Sequence, residues 1–277
     1  MVTMTEREFK MTDKDFNTLS ELAYLYTGIV LGPHKKDMLY GRLARRLREL
    51  ELTCASGYIP LIENESSPEV SHFINAISTN LTSFFREAHH FEFLEQVASN
   101  DWVAQKSTNK KVRIWSAGCS TGEEPYSIAM TLFELKQQYN WDCKILATDL
   151  DSSVVEAGKL GIYSAARIEN LSIEQKRKWF LYDRNHPEVV KVKPSLQEIV
   201  RFKRLNLLEK WPMKSKFDVI FCRNVVIYFN EATQAQLFNR FADMLNDGGY
   251  LVIGHSESVS RVCQRYQGIG KTVFQKK

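Results

Sequence analysis

Gly118 and Gly122 punctuate the stretch IWSAGCSTGEEPYSIAM, residues 114–130, which reads as a strand, a glycine turn and a helix, the layout of a nucleotide-binding loop. Glu123 and Glu124 follow the second glycine at once. A helix start ordinarily attracts phosphate, because its unpaired N–H groups and dipole are positive there. Two carboxylates at that point repel a pyrophosphate and favour a cation. Thr121 followed three residues later by Glu124 reads as a capping box, which leaves Glu123 with no structural duty. S-Adenosylmethionine (SAM) suits such a mouth, since it lacks phosphate and carries an ammonium and a sulfonium. A second strand, CKILATDLD, ends in Asp149, where a carboxylate can accept hydrogen bonds from both hydroxyls of a ribose. Asp149 lies 27 residues past Gly122, against about 20 in a dinucleotide fingerprint. Ser120 also stands where a middle glycine is common. Together with the acidic helix start, these departures favour a class I methyltransferase over an NAD enzyme.

The elements that position these residues follow from periodicity. Short β-rich runs at 111–117, 143–149, 217–222 and 249–253 alternate with amphipathic helical stretches at 122–137, 152–160, 172–181 and 231–245. Such alternation means an α/β, doubly wound, Rossmann-like parallel sheet, with its ligand beyond the carboxyl ends of the strands. Residues 1–98 read differently, with Phe16, Leu19, Leu22 and Ala23, then Leu39, Leu43, Leu47 and Leu50, then Phe73, Ile74 and Ile77 at helix spacing. They form an N-terminal all-helical domain, set off by the polar QKSTNKK at 105–111 from the α/β domain of residues 99–277. Within the latter, VVKVK and IVRFK on either side of PSLQE read as the two strands of a small antiparallel hairpin, a β insert at 185–204.

With 277 residues, 44% hydrophobic and 25% charged, the chain has the composition of a folded globular protein. Its five cysteines are odd in number and form no CxxC pair, which argues against a disulfide framework or a zinc site and fits a reducing, cytoplasmic setting. No apolar run approaches a membrane span. His89 and His90 read as helix surface or packing, and the spacing suggests no metal ligands; His255 is a candidate lining residue. The formal charge of +4 arises wholly within HKKDMLYGRLARRLREL, residues 34–50, where six basic residues oppose two acidic ones. That concentration points to a partner.

NLTSFFREAHHF (80–91), WSAGCSTGEEPYSIAM (115–130), ATDLD (147–151), NLLEK (206–210), FCRNVVIYF (221–229) and GHSES (254–258) together resemble the chemotaxis receptor methyltransferase family, CheR, collinearly from about residue 20 onward. The resemblance implies SAM-dependent methylation of glutamate side chains on cytoplasmic chemoreceptor domains, leaving S-adenosylhomocysteine. It places Asn80, Thr82 and Arg86, from the helical side, at a pocket walled by both domains. Glu123 would hold the methionine ammonium and Asp149 the ribose, Asn206 and the backbone of Leu207 the adenine, with Arg223 and Asn224 closing the pocket. Arg86 and Tyr228 are the candidates to orient the reacting carboxylate. A glutamate with a pKa near 4.3 is ionised at neutral pH, so the nucleophile needs no general base.

On this reading Arg42, Arg45, Arg46 and Arg48, spread opposite the leucine stripe, would meet glutamate-rich receptor helices through charge-assisted contacts. In some members of the family the β insert captures a receptor C-terminal peptide by strand addition. Here the loop LYDRNHPE lacks the glycines associated with that activity, while an open edge around Val189 to Lys193 would permit it. Two alternatives remain: methylation of another protein or of nucleic acid, and a non-catalytic SAM-binding signalling protein. Against nucleic acid, the chain shows no interleaving of aromatic and basic residues and carries CRNVVIYF where an amine methyltransferase commonly has a DPPY-like strand end.

Overall fold

The computed structural model describes residues 7–104 and 110–277, so most of the polar separator, 105–109, lies outside the described residues. The chain divides into one unit of Met1–Thr79 with Tyr228–Asn230 and another of Asn80–Ile227 with Glu231–Lys277.

The first unit is helical. Helix α1 (Asp13–Thr27) starts at a capping box, in which Thr12 accepts from the Asp15 amide and Asp15 accepts from that of Thr12, and stops at Gly28 with φ 71°. Helix α2 (Lys36–Glu49) buries Leu39, Leu43 and Leu47, and α4 (Pro68–Ile77), which follows the short α3 (Ile59–Ile62), buries Val70, Phe73, Ile74 and Ile77. Each such side chain contributes about 1.5–3 kcal/mol on leaving water, and the heptad-like leucine stripe therefore fixes which face of α2 turns inward.

The division falls at residues 79/80 and not at the expected 98. The segment from Asn80 belongs to the second unit because its aromatic side chains are buried there. Phe84 is fully buried, with its ring edge-on to Tyr163 at 5.1 Å and Phe180 at 5.4 Å. Phe91, on α5 (His89–Gln96), stacks on Phe221 at 6.1 Å.

The second unit is built on a seven-stranded sheet. Its strands are β1 (Lys111–Ala117), β2 (Asp142–Asp149), β6 (Val200–Arg204), β7 (Phe217–Cys222), β8 (Leu245–Ile253), β9 (Tyr266–Gly270) and β10 (Val273–Lys276). Their order is β6-β2-β1-β7-β8-β10-β9, parallel through β8 and antiparallel beyond it. Helices α6 (Glu123–Gln138), α7 (Ser152–Leu160) and α10 (Glu231–Met244) supply crossovers. Residues 117–118 and 222–223 thus lie at the carboxyl ends of adjacent parallel strands, where open α/β sheets bind ligands.

A separate three-stranded antiparallel sheet has the order β3-β5-β4, from β3 (Ile162–Ser164), β4 (Phe180–Tyr182) and β5 (Val189–Val192), with α8 (Ile173–Trp179) before β4 and α9 (Pro194–Gln197) after β5. This corrects the expected hairpin. VVKVK and IVRFK do not pair: the first is the central strand of the small sheet, and the second, β6, adds to β2 as the edge of the large one. Both are short alternating strands, and alternation does not say which neighbour a strand takes. With β5 paired on both sides, the open edges of the small sheet belong to β3 and β4. Among the described residues no helix is long and apolar enough to cross a membrane.

Candidate functional site

The turn after β1 is shaped by two residues that only glycine suits. Gly118 has φ 104°, and a Cβ there would lie 2.3 Å from Val225 Cγ2. Gly122 has φ 101°, and a Cβ would come within 3.1 Å of the Gly158 backbone. Between them Ser120 adopts the left-handed region at φ 49° without being glycine. Its amide donates to Asp149 Oδ2 at 2.8 Å and its hydroxyl to the Asn80 carbonyl at 2.9 Å.

Helix α6 begins at Glu123 with Gly122 as its cap residue, and no side chain caps it. The expected Thr121–Glu124 capping box is therefore not formed. Thr121 donates to Glu123 Oε2 at 2.6 Å. Glu124 instead turns into the protein, accepting from Ser116 Oγ at 2.7 Å and Arg223 Nη1 at 3.0 Å. Burial raises the Glu124 pKa above the ordinary carboxylate value, against the pull of Arg223 and Ser116. Arg223 is itself buried and also donates to the Arg86 carbonyl, so it ties α6, β7 and the NLTSFFR segment together.

Glu123 is fully buried, yet its Oε1 has no hydrogen-bond partner. The nearest cation is Arg167, whose Nη2 stands 3.7 Å away while its Nη1 donates to the Thr82 carbonyl. A buried carboxylate oxygen with nothing donating to it is costly unless a ligand supplies the donor, and an ammonium is the chemistry it accepts best.

Asp149 closes β2. Beyond the Ser120 amide it accepts from the Asp151 amide at 3.0 Å, so its position is fixed by the backbone of two loops. Burial pushes its pKa up to about 6, against those two amides. The next acid, Asp151, was not singled out from sequence although DSS before an apolar run is an N-cap signal. It caps α7 through the amides of Ser153 and Val154 and accepts from Asn80 Nδ2 at 2.7 Å.

Asn206 Oδ1 accepts from the Leu208 amide at 3.0 Å. The Leu207 carbonyl is already used by Trp211 Nε1 at 3.1 Å and Arg240 Nη1 at 2.7 Å. Asn224 sits at φ 58°, and the reason is Glu257, another residue that sequence reasoning did not assign. This buried carboxylate accepts the amides of Asn224, Val225 and Val226 at 2.9 Å each, and that of Gly254. His255 is exposed.

Asn80, Thr82, Arg86, Glu123, Asp149, Asn206, Leu207, Arg223 and Asn224 thus all fall in the second unit, and Ser120, Asp151 and Arg223 link several of them directly. Arg86 donates to the Leu81 carbonyl at 2.8 Å. Tyr228 falls in the first unit, where Lys35 Nζ lies 5.6 Å from its ring centroid and Val30 donates to its carbonyl.

The arginines of α2 are largely occupied. Arg42 donates to the Ile77 and Ser78 carbonyls and to Thr79 Oγ1, satisfying the end of α4. Arg46 grips Glu69 with both arms of its fork, at 2.7 and 2.5 Å, while Tyr58 donates to the same carboxylate. Arg48 pairs with Glu8, and Arg45 with Glu49. The Arg45 side chain is 83% exposed and the Arg46 side chain 21%, so of the two only Arg45 is open to a partner.

Two family models match the chain: the CheR methyltransferase all-alpha domain over residues 14–78 and the CheR methyltransferase SAM-binding domain over residues 80–274. The chain is 43% identical to the chemotaxis protein methyltransferase of Escherichia coli K12 over 99% of its own length and 94% of that protein's. It is 41% identical to that of Salmonella typhimurium, over 99% and 93%, and 38% identical to chemotaxis protein methyltransferase 2 of Pseudomonas aeruginosa, over 97% and 95%.

Proposed function

The chain belongs to the CheR methyltransferase family, and from that premise we propose that it transfers the methyl group of SAM to glutamate side-chain carboxylates of chemoreceptors, forming methyl esters. The observation that carries the reading is the buried, unpartnered Glu123 Oε1 at the mouth of the first glycine turn. It fits the cofactor's ammonium and would exclude a phosphate. Asp149 would take the ribose hydroxyls, Asn206 and the Leu207 amide the adenine edge, and Asn80, Thr82, Arg223 and Asn224 the remaining walls. Bound SAM supplies an electrophilic methyl on a sulfonium.

The protein's own work is then alignment and desolvation. A receptor carboxylate is already ionised at neutral pH, so no proton has to be removed and no Ser, Cys or His base is required. Arg86 is the group proposed to orient the incoming carboxylate. Arg223 keeps the Arg86 backbone in place through its carbonyl and is itself held by Glu124. Of the α2 arginines, the proposed direct receptor contact narrows to Arg45 and Arg48, whose side chains are 83% and 56% exposed, since Arg42 and Arg46 serve the helical unit itself. A receptor C-terminal peptide, if the small sheet takes one, would add to β3 or β4, where Ile162, Leu181 and Tyr182 are exposed.

The test is transfer of labelled methyl to receptor-containing membranes, with transfer RNA and DNA as competing substrates. Base-labile label on receptor, released as methanol, is the expected result. Label on nucleic acid, or SAM binding with no transfer to any substrate, would select one of the two alternatives. Receptor C-terminal peptides titrated onto the protein test the small sheet separately.

A further inference from the structure

Outside the proposed cofactor contacts, one buried cluster has an unexplained geometry. His90 is fully buried, a setting that disfavours a charged ring. Its Nε2 lies 2.9 Å from Thr272 Oγ1 and 3.2 Å from the Lys271 carbonyl. The Thr272 hydroxyl spends its own proton on that carbonyl. Both neighbours of Nε2 are therefore acceptors, Nε2 carries the ring proton, and Nδ1 presents a lone pair.

That lone pair faces another acceptor. Nδ1 stands 3.5 Å from Glu87 Oε2, and both atoms are buried without a hydrogen-bond partner. Two lone pairs facing each other in a dry site need a cation or a proton between them. The adjacent His89 brings a third ligand atom, and all three lie within 4.8 Å of one another. Glu87 is held in the left-handed region at φ 56°, a conformation non-glycine residues adopt at a cost and one that recurs at ligand sites.

We propose that Glu87, His89 and His90 form a binding site for a divalent transition metal ion, with zinc the best match to the ligand set. Two histidines and one carboxylate are a recurrent zinc donor set, and bonds of about 2.0–2.1 Å in a tetrahedron place ligand atoms about 3.4 Å apart, close to the separation of the His90 and Glu87 atoms. The Lys271 carbonyl and Thr272 hydroxyl fix the ring tautomer as outer partners of metal-binding histidines do. Arg223 Nη2 lies 3.6 Å from Glu87 Oε2, too long for a hydrogen bond. It keeps Glu124 and the Arg86 carbonyl when the ion takes Glu87. Arg223 is thus a neighbour of both sites.

The experiment titrates zinc into the full chain by calorimetry, with cobalt(II) as the spectroscopic probe, and repeats both with the half-exposed His89→Ala and the isosteric Glu87→Gln. One zinc per chain is expected, with tetrahedral cobalt absorption lacking thiolate charge transfer, and a loss of affinity of at least tenfold in each variant. Thermal unfolding of each variant without metal, unchanged from wild type, establishes that the loss is one of ligands. The proposal is overturned if wild type takes up no stoichiometric metal, or if both variants bind it as tightly as wild type.

Discussion

On the proposed assignment of the ribose to Asp149, cofactor affinity depends on pH. The Asp149 carboxyl is pushed up to about 6 by burial, from an ordinary 3.8. Its two backbone donors leave acceptor capacity for a ribose diol only while it is ionised, because a protonated carboxyl gives up one acceptor oxygen. With a pKa of about 6, about nine-tenths of molecules are ionised at pH 7 and about one-tenth at pH 5. If the ionised form is the binding form, affinity falls about tenfold over that interval, or about 1.4 kcal/mol. The sign is that of an acid with a raised pKa. Folding is favoured at low pH and loses that contribution as pH rises from 3.8 through about 6, while cofactor binding runs the other way. The assay is calorimetric titration with S-adenosylhomocysteine at pH 7, 6 and 5 and constant ionic strength, in wild type and Asp149→Asn. The variant has no titrating group there, so it should bind weakly and with no such slope. A flat wild-type profile, or the same slope in the variant, would refute the assignment of the ribose to this carboxylate; because the variant retains Glu124, any slope that residue contributes shows in it and is subtracted in the comparison.

Glu123→Gln removes the charge proposed to meet the ligand ammonium. It should weaken S-adenosylhomocysteine by about 1.5–3 kcal/mol while leaving 5′-methylthioadenosine, which has no amino-acid moiety, nearly unaffected; equal losses for both ligands would place the ammonium elsewhere. Arg46→Ala leaves the buried Glu69 without its fork and should lower stability by about 2–3 kcal/mol in chemical denaturation, without changing cofactor affinity. Arg45→Ala should leave stability unchanged, because its pair with Glu49 is exposed, while lowering kcat/KM for receptor and flattening its salt dependence; unaltered kinetics at low salt would remove Arg45 from the receptor contact. Gly118→Ala, whose Cβ would lie 2.3 Å from Val225 Cγ2 at φ 104°, should abolish cofactor binding or folding, and tight binding in a folded variant would contradict the turn geometry.

Local pattern carried the parts of this protein that are locally determined. Strand and helix periods placed β1, β2, β7 and β8 and the helices between them. The glycines at 118 and 122 marked the turn, since a backbone at positive φ selects glycine within a few residues of sequence. Asp149 was legible because a strand's end is a local fact. What tertiary structure decided were partnerships across long separations. Glu124 reads as a cap beside Thr121, yet it pairs with Arg223, 99 residues on, because burial leaves the carboxylate no other strong donor. The four arginines of α2 look alike in sequence, but the end of α4 and Glu69 claim Arg42 and Arg46. IVRFK alternates as a hairpin strand would, and went instead to the edge of the large sheet, where Val200 and Phe202 are buried. A period of two specifies which side chains share a face, and only the packing of the whole chain specifies what that face meets.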